Sequence, residues 1–135
     1  MLMNRRNSLL MIIDVQERLA PAMDDPRQVI SNSARLVGAA KAMGVPFVIT
    51  EQYPKGLGQT MIDVRQEAGD EAAFFSKLYF SCAREPEIMQ AIQESGRRQI
   101  ILAGAETHIC LLQTGRGMRF LSYPMPALRG MPSRM

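Results

Sequence analysis

Residues 8–14 read SLLMIID, an unbroken apolar run that ends in a carboxylate. A strand with one solvated face alternates polar and apolar residues. A run without alternation fits a strand covered on both faces, as in parallel sheets flanked by helices. PFVIT (46–50), AAFFSK (72–77) and RRQIILAG (97–104) are three further strand candidates. Between the first two lies DDPRQVISNSARLVGAAKAMG (24–44), with a start signal at Asp25 before Pro26 and a stop at Gly44. Its Val29, Leu36, Val37 and Ala40 recur at helical spacing. EQYPKGLGQT (51–60) reads as a loop, punctuated by one proline and two glycines. Residues 61–68 form a short amphipathic stretch, Pro86 opens a second helix closed by Gly96, and THICLLQT (107–114) predicts the first turns of another. Strands alternating with helices predict a three-layer α/β/α fold with a parallel sheet and right-handed crossovers.

Composition narrows the function. The 135 residues are 47% hydrophobic and 21% charged, which suits one globular domain rather than a disordered chain. No apolar run approaches the roughly 18 residues of a membrane span, so no membrane role is expected. The opening MLMNRRNSLLMIID imitates a signal peptide but runs into Asp14 with no small-residue cleavage site, and reads better as a first strand. Two cysteines at unrelated positions make neither a disulfide framework nor a metal cluster, and the expected compartment is the reducing cytoplasm. The formal charge of +3 is concentrated in one segment. Residues 1–114 hold 12 Lys+Arg against 13 Asp+Glu, while residues 115–135 hold four arginines and no acid. The body therefore offers no basic stripe for phosphates, and no nucleic-acid partner is expected. The segment 115–135 has three prolines, three glycines and four methionines without helical or strand period. The chain divides on this reading into a domain at 1–114 and an irregular basic tail at 115–135.

In open α/β sheets ligands sit beyond the carboxyl ends of the strands. The polar residues at those ends are Asp14, then Ser76 and Lys77, then Gly104, Ala105 and Glu106 leading to Cys110. A carboxylate, an amine and a thiol thus converge from distant segments. A cysteine at a helix start near a lysine favours the thiolate. A carboxylate beside it can take the thiol proton and return it to a leaving amine. Backbone N–H groups at the helix start can hold an oxyanion, worth about 10²–10³ in rate per donor. Each residue also has a plain structural reading: Asp14 as a cap, Lys77 as a salt-bridging lysine, Cys110 as a small buried hydrophobe. Glu106 and Thr107 fit as helix-capping residues. His108, the single histidine, stands two positions from Cys110, and such positions on a helix do not face each other. Cys82, just before a helix, reads as structural. There is no phosphate loop, and one histidine makes a zinc or iron site improbable, so neither metal nor cofactor is expected.

IIDVQERL (12–19), TEQYPKGLGQT (50–60), FSKLYFSC (75–82) and LAGAETHICLLQT (102–114), in this order and spacing, resemble the isochorismatase-like cysteine hydrolase superfamily, above all its small single-domain members of unassigned substrate. The resemblance covers residues 8–114. It implies a Rossmann-like sheet of order 3-2-1-4 and a catalytic triad of Asp14, Lys77 and Cys110. It also implies a cis peptide between Ala105 and Glu106 that turns backbone N–H groups toward the oxyanion. The implied reaction is hydrolysis of an amide-type C–N bond of a small molecule through a thioester on Cys110. True isochorismatases, which cleave a vinyl ether, lack that cysteine. Gln52 and Tyr53, with the rest of residues 52–57 and with Phe75, Leu78 and Tyr79, are expected to line the pocket. Nicotinamidases in the superfamily carry an Asp/His metal site that the single histidine of this chain, His108, is not enough to build, which argues against nicotinamide. After Thr114 the family's further strands and helices give way to the Arg/Pro/Met tail, as a shifted reading frame would produce. That loss would expose a sheet edge and favour a homo-oligomer. Two other readings stand beside the hydrolase: a non-catalytic truncated member acting as an oligomeric or interaction protein, and a thiol redox protein, which would lack a CxxC motif.

Overall fold

Six consecutive buried residues, Ser8–Ile13, form the strand β1, and burial on both faces explains why its sequence does not alternate. The structure is a computed structural model that describes residues 4–23, 25–70, 72–78, 82 and 85–104. Ala105, Glu106, Cys110, His108, Tyr79, the predicted helix at 107–114 and the segment 115–135 lie outside the described residues. After β1 come a 3-10 turn at Ala20–Ala22, helix α1 (Pro26–Met43), strand β2 (Phe47–Gln52), short helices α2 (Pro54–Leu57) and α3 (Ile62–Ala68), strand β3 (Phe74–Lys77), helix α4 (Pro86–Ser95) and strand β4 (Gln99–Gly104).

The sheet order is β3-β2-β1-β4 and every pairing is parallel. Alternate residues of the strands feed two apolar cores. Leu10, Ile12 and Ile49 pack with Val37 and Ala40 of α1 and Val64 and Ala68 of α3. Leu9, Met11, Ile13, Val48, Ile100 and Leu102 pack on the other face with Ile88 and Ile92 of α4. The result is the three-layer α/β/α fold that the alternation of elements predicted. Cys82 is fully buried within the second core, in keeping with a structural role.

Helix boundaries follow their chemical signals. The Asp25 side chain accepts the Gln28 N–H at 3.2 Å and Pro26 occupies the first turn, where its missing N–H costs nothing. Gly44 (φ 73°) and Gly96 (φ 70°) end α1 and α4 in the left-handed conformation that glycine adopts without strain. The structure differs from expectation in the loop at 51–60. β2 runs two residues further, through Glu51 and Gln52, and the loop itself holds α2. Polar residues at a strand end carry no hydrophobic period, so composition alone placed the boundary too early.

An apolar groove of about 230 Å³ lies between α1 and the sheet, lined by Leu10, Leu36, Ala40, Val45 and Ile101. It also includes Ser8 and so opens at the amino ends of the strands, away from the polar residues that end β1, β2 and β3. Among the described residues no helix is long and apolar enough to cross a membrane.

Gly104 sits opposite Ile13 in the β1–β4 register, and a Cβ there would collide with the Ile13 carbonyl oxygen. Close approach of two backbones, rather than an unusual φ, requires this glycine. Gly104→Ala should therefore cost about 1–3 kcal/mol of stability, read from urea unfolding of the full chain. An unchanged midpoint would contradict the packing described.

Candidate active site

Three adjacent strands end in a polar cluster. Asp14 follows β1, Thr50 and Gln52 occupy the end of β2, and Lys77 closes β3. Thr50 and Gln52 are two apart and share the face of the sheet that carries Val48 and, on β3, Phe75 and Lys77. The stripe that is apolar in the middle of the sheet thus turns polar at its carboxyl edge.

The Lys77 ammonium donates to Asp14 Oδ2 at 2.8 Å, and both side chains are wholly buried. Lys77 also donates to Gln52 Oε1 at 2.8 Å. Thr50 Oγ1 donates to the other carboxylate oxygen, Asp14 Oδ1, at 2.9 Å. Each carboxylate oxygen keeps a second lone-pair direction for another donor.

Asp14 has φ 58°, in the left-handed region that aspartate tolerates better than most residues. Its N–H reaches the Thr50 carbonyl at 3.1 Å, and its carbonyl accepts the Gln16 N–H at 2.9 Å in a γ-turn that ends the strand. Past this turn the chain zips against the β2 loop. Glu17 N donates to Gln59 O at 2.9 Å, Arg18 N to Leu57 O at 3.1 Å, and Met61 N to Val15 O at 2.8 Å. On the opposite face of β2, Glu51 Oε2 accepts both the N–H and the hydroxyl of Thr60, at 2.6 and 2.8 Å.

The pocket residues named from sequence separate into two kinds. Tyr53 is half exposed, at φ 40°, and its N–H donates to the Lys77 carbonyl at 3.0 Å. Leu78 is 76% exposed, so both face solvent. Gln52 is buried, and the two ends of its amide bond Lys77 and the Leu78 carbonyl. Thr50 was not singled out in the sequence, although its parity with Gln52 at a strand end was a usable signal. Among the described residues no group of three or more His, Cys, Asp or Glu is placed to hold a metal.

Removing one member of a buried ion pair leaves the other uncompensated, at a cost of about 3–5 kcal/mol. Asp14→Asn, which keeps the left-handed tolerance, and Lys77→Met should each lose that much in urea unfolding. The double variant should lose clearly less than the sum. Additive losses would mean that the two charges do not depend on each other.

Comparison with known proteins is consistent along most of the chain. The family model for the isochorismatase domain matches residues 8–125. Isochorismatase domain-containing protein 1 of Danio rerio is 39% identical over 116 residues, covering 82% of this chain and 40% of that protein. The solved structure of MAR1 ribonuclease from Caenorhabditis elegans superposes with a TM-score of 0.79 at 33% identity, covering 87% of this chain and 59% of that one. The ycaC gene product of Escherichia coli, described as an octameric hydrolase of unknown specificity, shares the fold at a TM-score of 0.77 and 17% identity, covering 87% of this chain and 59% of its own. The chain spans about half or less of the length of the curated relatives named isochorismatase domain-containing proteins. Matched by the domain model over 8–125 and carrying a parallel sheet of order 3-2-1-4, the chain belongs to the isochorismatase family.

Proposed function

We propose that this protein is a cysteine hydrolase that cleaves an amide-type C–N bond of a small molecule, with Asp14, Lys77 and Cys110 as its catalytic residues. The observation that carries this reading is the buried Asp14–Lys77 pair at the carboxyl edge of the sheet. β4 ends at Gly104, in register with Ile13, the residue before Asp14. β4 therefore ends next to the end of β1, one residue before Asp14, and Cys110 follows six positions later in the sequence. Six residues, at about 3.3–3.6 Å each at most, give Cys110 reach enough for the proposed contact.

In the proposed reaction Asp14 takes the proton of Cys110, and the sulfur attacks the amide carbonyl. The tetrahedral oxyanion is held by backbone N–H groups at the Ala105–Glu106 turn. Asp14 returns the proton to the departing nitrogen, the C–N bond breaks, and an acyl thioester remains. Asp14 then draws a proton from water, whose oxygen attacks the thioester, and the released sulfur recovers its proton. The net change is amide plus water giving carboxylic acid plus amine. Lys77 holds the carboxylate and supplies the positive charge that favours the thiolate. Thr50 fixes the second carboxylate oxygen, and Tyr53 and Leu78 offer substrate a partly apolar rim.

The reading needs neither metal nor cofactor. It also places the protein in the cytoplasm and includes self-association, by analogy with the octamer described for the E. coli neighbour. The proposal keeps the division into 1–114 and 115–135, with the hydrolase in the first part, while the domain model's match runs on to residue 125. RNA cleavage, which the name of the C. elegans neighbour suggests, is disfavoured here by the near-neutral charge of residues 1–114.

A panel of small aliphatic and aromatic primary amides, scored by ammonia release, tests the proposal. At least one should be turned over, and Cys110→Ala or Asp14→Asn should lower kcat/KM by about 10³-fold or more. No turnover, together with a Cys110 that iodoacetamide labels no faster than glutathione, would favour the non-catalytic interaction protein instead.

A further inference from the structure

Gln52 was expected to touch substrate, but its surroundings give it other work. Its Nε2 donates to the Leu78 carbonyl at 2.9 Å, which fixes the orientation of the amide. The oxygen end therefore faces the Lys77 ammonium at 2.8 Å, in register with it across β2 and β3. A flipped amide would set NH₂ against NH₃⁺ and one carbonyl against another. The backbone of Gln52 is held just as firmly. Gln16, itself fully buried, accepts the Gln52 N–H at 2.7 Å and donates to the Gln52 carbonyl at 2.9 Å. The same Gln16 nitrogen donates to the Gly58 carbonyl at 2.8 Å, tying in the far end of the loop.

We propose that Gln52 is a positioning residue for Lys77, held in place by Gln16: its neutral oxygen aims the ammonium toward Asp14 and the thiol without cancelling its charge. The inference rests on Cys110 being the nucleophile. A carboxylate at position 52 would keep the bond to Lys77 but lose the one to the Leu78 carbonyl, setting its other oxygen against that carbonyl. It would also set two negative charges, 14 and 52, against one positive charge, and the thiolate would lose its support. A neutral amide avoids this. Among the described residues, the neighbouring charged groups have other partners: Glu51 binds Thr60 on the opposite face of β2, Glu85 accepts the Leu78 N–H at 3.0 Å, Glu17 accepts the Gln59 N–H, and Arg18 donates to the Gly56 carbonyl.

The test is the pH profile of iodoacetamide labelling at Cys110, followed by mass spectrometry of the tryptic peptide 99–116, which separates it from Cys82 in peptide 78–84. Wild type, Lys77→Met, Gln52→Glu and Gln52→Met are compared after thermal melts establish that each is folded. In wild type Cys110 should label faster than glutathione at neutral pH and slow down in Lys77→Met. In Gln52→Glu the midpoint of the profile should move up by about one pH unit, a tenfold lower rate at neutral pH. Gln52→Met, which loses the acceptor but adds no charge, should slow labelling with a smaller shift, and it serves alone if the glutamate variant does not fold. Wild-type labelling no faster than glutathione would overturn the hydrolase reading and this inference together. Fast wild-type labelling, slowed by Lys77→Met but unchanged by either Gln52 variant, would overturn the role of Gln52 alone.

Discussion

An ammonium and a carboxylate meeting at 2.8 Å, both out of solvent, are the constraint around which the carboxyl edge of this sheet is arranged. Burying two charges removes hydration worth several kcal/mol for each ion, and their mutual attraction offsets this only when geometry and further hydrogen bonds are good. Apolar residues of similar volume would stabilise such a position at least as well. The structure instead surrounds the pair with fitted partners: Thr50 on one carboxylate oxygen, Gln52 on the ammonium. These partners are what two buried charges need to offset lost hydration, and they leave the pair in one fixed geometry, as the proposed chemistry would use it.

The fold explains how residues 63 positions apart are brought to this contact. The order β3-β2-β1 places the end of β2 between the ends of β1 and β3, so Thr50 and Gln52 bridge the gap between Asp14 and Lys77. The left-handed turn at Asp14 lifts the carboxylate out of the β1 pleat, and Gln16 then ties the turn to Gln52 and Gly58. Loop, turn and ion pair form one connected network, and a change in any of them reaches the others.

Much of this was legible in the sequence. SLLMIID announced a strand buried on both faces, and Asp25–Pro26, Gly44, Pro86 and Gly96 marked helix ends where the structure has them. These signals are local, each set by one residue's own backbone or burial preference. The meeting of Asp14 and Lys77 was expected because both stand at strand ends, where an α/β sheet gathers polar groups beyond its carboxyl edge. Thr50 and Gln16 were missed because their roles are non-local hydrogen bonds, to partners 36 positions away, which no periodicity records. The end of β2 was misplaced for a related reason: Glu51 and Gln52 are strand residues through pairing with Ser76 and Lys77, not through hydrophobic pattern.

In the proposed mechanism the buried pair serves a thiol. The most direct test is the distance from Cys110 Sγ to the Asp14 carboxylate and the Lys77 ammonium in a crystal structure of the full chain. The sulfur should lie within about 4–6 Å of both groups, where their charges act on it. A sulfur seated beyond that range, with the Asp14–Lys77 pair intact, would contradict the mechanism.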